Sequence, residues 1–178
     1  MAYCLQTLNG IGSSCTSNIG GMSVKCYIAN KGDIETITMD ASDETVESIT
    51  MKQSKYFYEY DFKKNSAQLN NEWTIDQASG VKFNTATLNL AFSKQETTKR
   101  IAIEALIMGE LVVVIKDANG FQQILGADEE PVTALSASSD SGKAKTDVNG
   151  YSIVLTEETG HFPYECTQDM SALTQPIA

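Results

Sequence analysis

Residues 22–29, "MSVKCYIA", alternate: Met22, Val24, Cys26 and Ile28 share one face, while Ser23, Lys25, Tyr27 and Ala29 share the other. That is the period of a half-buried strand. "IETITM" (34–39) and "VESITM" (46–51) are rich in β-branched residues and flank the acidic turn "DASDET", a strand–turn–strand signature. In "KYFYEYDF" the side chains of Tyr56, Tyr58, Tyr60 and Phe62 fall opposite Phe57, Glu59 and Asp61. "VKFNTATLNLAF" (81–92) reads as one long strand, or as two with a bulge between them. "ELVVVIK" (110–116) holds an unbroken apolar run from Leu111 to Ile115, which predicts a strand buried on both faces. "DANG" (117–120) turns it into "FQQILG", because Asn-Gly tolerates positive φ. After "PVTALSA" and the polar loop "SSDSGKAKTD", a second Asn-Gly at Asn149-Gly150 leads into "YSIVLT".

One segment changes period. "SKQETTKRIAIEALIMG" opens with Ser93 and Glu96 at capping-box spacing and closes on Gly109, which predicts a helix with an αL stop. In its second half Ile101, Ala102, Ile103, Ala105, Leu106, Ile107 and Met108 leave only Glu104 as a polar break. A surface helix shows one apolar stripe, so this one needs cover on more than one side. A neighbouring subunit or the sheets of its own domain would each supply it. Ile101, Leu106 and Met108 are the candidate subunit-interface residues.

The order is five or six strands, one helix, then four or five strands. It predicts a mainly β fold, a β-sandwich or open barrel flanked by a single α-helix. Nothing in the pattern splits the chain, so 1–178 reads as one domain. Residues 1–21 read as a flexible Gly/Ser-rich lead and 167–178 as a loose tail. The loops 40–47 and 136–146 are the candidates for flexible contacts.

With 42% apolar and 20% charged residues over 178 positions, the chain has an ordinary globular composition and enough length for a core without staples. No apolar run is long enough to span a bilayer, and "MAYCLQTLNG" has neither the basic start nor the apolar core of a signal peptide. The 23 acidic residues outnumber 13 basic ones, and Arg100 is the only arginine. Gripping a phosphate backbone takes a basic surface, so this balance argues against a DNA clamp. It is compatible with a wall past which DNA moves without being held.

Chemistry is sparse. Cys4, Cys15 and Cys26 are separated by ten residues each time, whereas structural zinc sites deliver ligands in close pairs. Cys26 also falls in an inward strand phase, where a thiol acts as a small apolar filler. A reducing compartment disfavours disulfides, so the thiols read as reduced fillers. His161, the single histidine, sits in "GHFP" and reads as an exposed loop residue. No nucleophile elbow surrounds it, and "NGIGSSC" and "NIGGMS" match no phosphate-binding loop. The carboxylates of "DASDE" and "GADEE" lack EF-hand spacing and read as solvated turns. No catalytic, cofactor or metal site emerges.

"CTSNIGGMSVKCYIANKGDIETITM", "KRIAIEALIMGELVVVIKDANGFQQILG" and "SGKAKTDVNGYSIVLTEE", in that order, resemble tail-tube-like virion proteins of phages that infect Bacteroides and related gut bacteria. The resemblance runs from about Cys15 to Cys166 and rests on turns and strand patterns. It implies a non-enzymatic structural protein of the virion tail, assembled in the host cytoplasm into a ring or tube. The implied partners are identical subunits, other tail or portal-proximal proteins, and passing DNA that is not bound specifically; no membrane insertion is implied. The alternative is a capsid-decorating or carbohydrate-binding sandwich, for which the Tyr56–Tyr60 stripe would be the contact surface.

Overall fold

The computed structural model describes residues 17–41 and 44–175, together with Ile11. About 52% of the chain is strand, with a single α-helix among the described residues and a sandwich-like arrangement of sheets. The strands are β1 (Met22–Asn30), β2 (Ile34–Met39), β3 (Val46–Met51), β4 (Phe57–Asp61), β5 (Ala67–Ile75) and β6 (Lys82–Ser93). After α1 (Thr97–Met108) come β7 (Leu111–Asp117), β8 (Gln122–Leu125), β9 (Thr133–Asp140), β10 (Gly150–Thr159), β11 (Tyr164–Glu165) and β12 (Thr174–Gln175).

Three layers result. A six-stranded sheet in the order β11-β8-β7-β1-β4-β12 forms the middle, and a four-stranded sheet, β5-β6-β10-β9, packs on one side. The hairpin β2-β3 covers part of the other. β7 explains why the middle sheet is buried on both faces. Leu111, Val113 and Ile115 pack towards the four-stranded sheet, while Val112 and Val114 pack towards the hairpin with Phe57, Val46 and Ile49. Each such side chain withdrawn from water stabilises the fold by about 1.5–3 kcal/mol. The turn after β7 is the hairpin expected of "DANG", with Gly120 at φ 93°.

Four expectations need correction. First, β5, "AQLNNEWTI", is a full strand where the pattern suggested no element. It is an edge strand, and amides at Gln68, Asn70 and Asn71 mute its alternation. Second, the helix begins without the capping box. Ser93 ends β6, Glu96 makes no cap hydrogen bond, and its carboxylate is taken by Lys94 and Lys99. Gly109 is extended, at φ −90°, and therefore no αL stop. Its lack of a side chain answers crowding instead, since a Cβ there would lie 2.8 Å from Leu111 Cδ2.

Third, residues 167–175 are docked. The Thr167 N–H donates to Val46 O, Met170 is buried, and β12 pairs in parallel with β4. Met170 anchors the segment in the core cluster that holds Phe57 and Val46, and the free backbone of β4's outer margin gives it a strand to pair with. Fourth, the loop taken as 136–146 begins later, because Ser136–Asp140 continue β9 along β10. In the 40–47 loop, Val46 and Glu47 already belong to β3, and residues 42–43 lie outside the described residues. Of the 1–21 lead, Asn18 and Ile19 are hydrogen-bonded to Asn119 in the β7–β8 turn.

Candidate functional site

The helix divides its predicted interface residues. Leu106 is 3% exposed and packs with Ile103 in the core between the sheets. It is thus a core residue of its own domain, correcting its assignment to an interface. Turned by about half a circle on the 3.6-residue repeat, Ile101 and Met108 are 55% and 89% exposed. Ala105 lies exposed between them, so an apolar stripe faces away from the protein, bordered by the Arg100–Glu104 ion pair.

This stripe lies beside an open sheet margin. α1 packs against β9 and β10, and β9 and β5 are the two unpaired edges of the four-stranded sheet. β5 pairs with β6 over nine residues without a register shift, and Glu72 is its one charged residue. Native edges are usually shielded by lysine, proline, bulges or a covering segment, and β5 has none of these among the described residues. β9 carries one such device. Val154 faces Ser136 and Leu155 faces Ala134, which leaves Leu135 as a bulged extra residue, 65% exposed.

The outward face of the same sheet is built of cross-strand rows. Gln68, Asn89, Val154 and Ser136 lie abreast, as do Asn70, Thr87 and Thr156, and Glu72, Thr85 and Glu158. These residues are amides, hydroxyls, one valine and two carboxylates, and none carries a positive charge. A polyanion meets no cation to neutralise its phosphates on these rows.

Strands β6 and β10 also carry a polar end that faces inward. Their inner rows run Ile153–Leu90, Leu155–Leu88, Glu157–Ala86 and Thr159–Asn84. Glu157 is 4% exposed and Asn84 is fully buried. The Gly126 N–H donates to Glu157 Oε1 at 2.8 Å, while the Asn84 side-chain amide makes no hydrogen bond among the described residues. Burial pushes the Glu157 carboxyl up, against the lowering effect of the Gly126 bond. Gly126 sits at φ 78°, and a Cβ there would come within 2.6 Å of Leu111 O. Only glycine fits this docking point.

The loop that follows reaches His161, which is therefore no unengaged surface histidine. Its Nε2 is 2.5 Å from Asp128 Oδ2 and its Nδ1 is 2.6 Å from Phe162 O. The ring stacks on Tyr164 with centroids 4.1 Å apart. Thr159 Oγ1 donates to His161 O, and Lys31 Nζ donates to Asp128 O. Burial alone would lower the imidazole pKa, but the Phe162 carbonyl and the Asp128 carboxylate outweigh it and hold the pKa above its ordinary value. Next to this cluster opens a cleft of about 990 Å³ with Lys31, Lys82, Phe83 and Glu158 on its walls. With an oxygen at each ring nitrogen, His161 has no nitrogen free to take a proton from a nucleophile. The arrangement is suited to holding two loops together.

The remaining candidates separate. Tyr56 and Tyr58 are 44% and 47% exposed, whereas Tyr60 and Phe62 join the core. Cys26 and Cys166 are buried free thiols; burial raises both their pKa values and keeps the reactive thiolate form scarce. Cys4 and Cys15 lie outside the described residues. Among the described residues, no group of three or more His, Cys, Asp or Glu is arranged to hold a metal, and no helix is long and apolar enough to cross a membrane. Compared with known proteins, the chain matches no family model, no curated protein and no solved structure.

Proposed function

We propose that this chain is a non-enzymatic structural protein of a phage virion, a tail component that closes into a ring or tube and lets the genome pass without binding it. The observation that carries this reading is the four-stranded sheet with two open margins. Its strands alternate in direction, and because their number is even, β5 and β9 point opposite ways. A rotation about an axis roughly along the strands then sets β9 of one copy antiparallel to β5 of the next. Such head-to-tail contacts close into a ring when the rotation allows, and closure removes the exposed edges. The Ile101–Met108 stripe beside β9 adds apolar area to that seam. The cation-free outward rows suit a channel wall along which DNA slides.

Light scattering and negative-stain electron microscopy of the purified protein test this reading. Rings or tubes, lost on Met108→Lys or Asn70→Lys, are the expected result. A monomer that stays monomeric at high concentration, and also when mixed with a virion lysate, contradicts it. The half-exposed Tyr56 and Tyr58 support a second reading, a surface-binding sandwich. Glycan binding abolished by Tyr58→Ala in a protein that forms no rings would favour it.

A further inference from the structure

We propose that His161, Asp128 and Glu157 form a proton-operated clasp that ties the Gly126–Glu130 loop to the Gly160–Pro163 loop and lets go when His161 becomes neutral. The inference is independent of ring formation. It starts from the two ring nitrogens, each of which faces an oxygen with no proton of its own to offer: the Phe162 carbonyl at 2.6 Å and the Asp128 carboxylate at 2.5 Å. Only the imidazolium can donate to both. A neutral ring keeps one N–H, so its other nitrogen presents a lone pair to an oxygen within hydrogen-bond distance. One of the two contacts must then break.

The surroundings amplify that loss. Asp128 faces the ring from the β8–β9 loop, Tyr164 from β11, and Glu157 from β10. Lys31 binds the backbone of the Asp128 loop, while Lys82, Glu129, Glu130 and Glu158 line the adjacent cleft. With His161 charged, its cation attracts both the Asp128 carboxylate, which it touches, and that of Glu157. Once it is neutral, the Asp128 carboxylate and the buried Glu157 are left to repel each other, with Lys31 acting in the opposite sense on Glu157. If the Phe162 contact breaks, the Phe162 peptide turns and moves a ring that lies edge-on to Trp73, 5.7 Å between centroids. If the Asp128 contact breaks, the loop anchored at Gly126 swings away from Glu157.

Two properties make the clasp readable: His161 is the only histidine and Trp73 the only tryptophan. The test is a titration of the full chain from about pH 6 to about pH 9, the range around a raised imidazole pKa. Trp73 fluorescence and amide exchange at Gly126 are followed beside the imidazole nitrogen spectrum of His161. The expected result is a single midpoint above about 6.5 in all three signals, with both ring nitrogens protonated below it and the protection of the Gly126 amide, taken relative to the intrinsic base-catalysed exchange rate at each pH, falling about tenfold above it. Asp128→Asn should move that midpoint down, and His161→Gln should abolish the fluorescence step. A neutral ring at about pH 6 in the wild-type spectrum overturns the proposal, and that measurement needs no variant to fold. A fluorescence or exchange step that persists unchanged in His161→Gln overturns it as well.

Discussion

Strands β6 and β10 are one continuous antiparallel pair, yet their two inward halves are built on opposite principles. Towards Phe92 the inner rows are Leu88, Leu90, Ile153 and Leu155, all within 1% of full burial. Towards Lys82 they become Ala86, Asn84, Glu157 and Thr159, also buried but up to 8% exposed at Thr159. The apolar half gains from removal of hydrocarbon from water, a force without direction or pH dependence. The polar half holds groups that cost free energy to desolvate and recover it only where a partner is placed correctly. Glu157 has the Gly126 N–H; the Asn84 side chain has no partner among the described residues. One end of the sandwich therefore supplies stability, and the other positions loops.

The largest effect is expected from breaking the apolar half. Leu155→Ala should destabilise the domain by about 2–5 kcal/mol, read as a fall in the denaturation midpoint. A loss below about 1 kcal/mol would mean that the rows around it relax, against the close packing assigned to them. Asn84→Leu should act in the reverse direction, raising stability by about 1 kcal/mol, because it removes two buried polar atoms that make no bond. If that variant is instead destabilised, the amide has a role that the apolar half lacks.

The third prediction separates the halves by pH. Glu157 has a folded pKa above its unfolded value, so its ionisation opposes folding. That penalty is absent below the unfolded pKa and grows as pH rises through the folded one. His161 is also raised, and its contribution is complete below the ordinary imidazole value and lost as pH rises through the folded pKa. Both signs agree, so these two groups make stability fall from mildly acidic to mildly alkaline pH. Glu157→Gln should flatten the acidic part of that curve, whereas Leu155→Ala should displace the whole curve without altering its slope. Equal slopes in wild type and Glu157→Gln would remove the distinction. The smallest effect is expected at the open margins. Asn70→Lys on β5 should change monomer stability by no more than about 0.5 kcal/mol, while abolishing any association that uses this edge.

Sequence pattern carried the elements whose environment is uniform. The Leu111–Ile115 run of β7 is apolar without interruption because both faces are covered, and Asn119-Gly120 declares its turn through backbone geometry. At Asn149-Gly150, by contrast, the glycine already pairs with Ser93 as the first residue of β10. β5 stayed hidden because one margin is unpaired and its amides face both ways, which leaves little contrast for a period to register. The orientation of α1 was illegible for a related reason. A helix apolar all round does not say which stripe meets its own sheet, so Leu106 and Met108 looked alike. The Asp128–His161 contact joins loops far apart in the chain, and residue types alone do not pair them. One signal was present, however. Glu157 continues the inward phase of Ile153 and Leu155, and a carboxylate in an apolar register is itself a pointer to a built site.

The surplus residue at Leu135 limits how much of β9 a visiting strand can use. Its bulge bends the ladder there, leaving Ser136–Asp140 as the regular stretch. At about 3.4 Å per residue, the seam of the proposed ring would be roughly 17 Å long. A joint that short is weak singly and forms and parts readily. Misaligned copies would dissociate before the circle closes, and permanence would come only from completing the circuit.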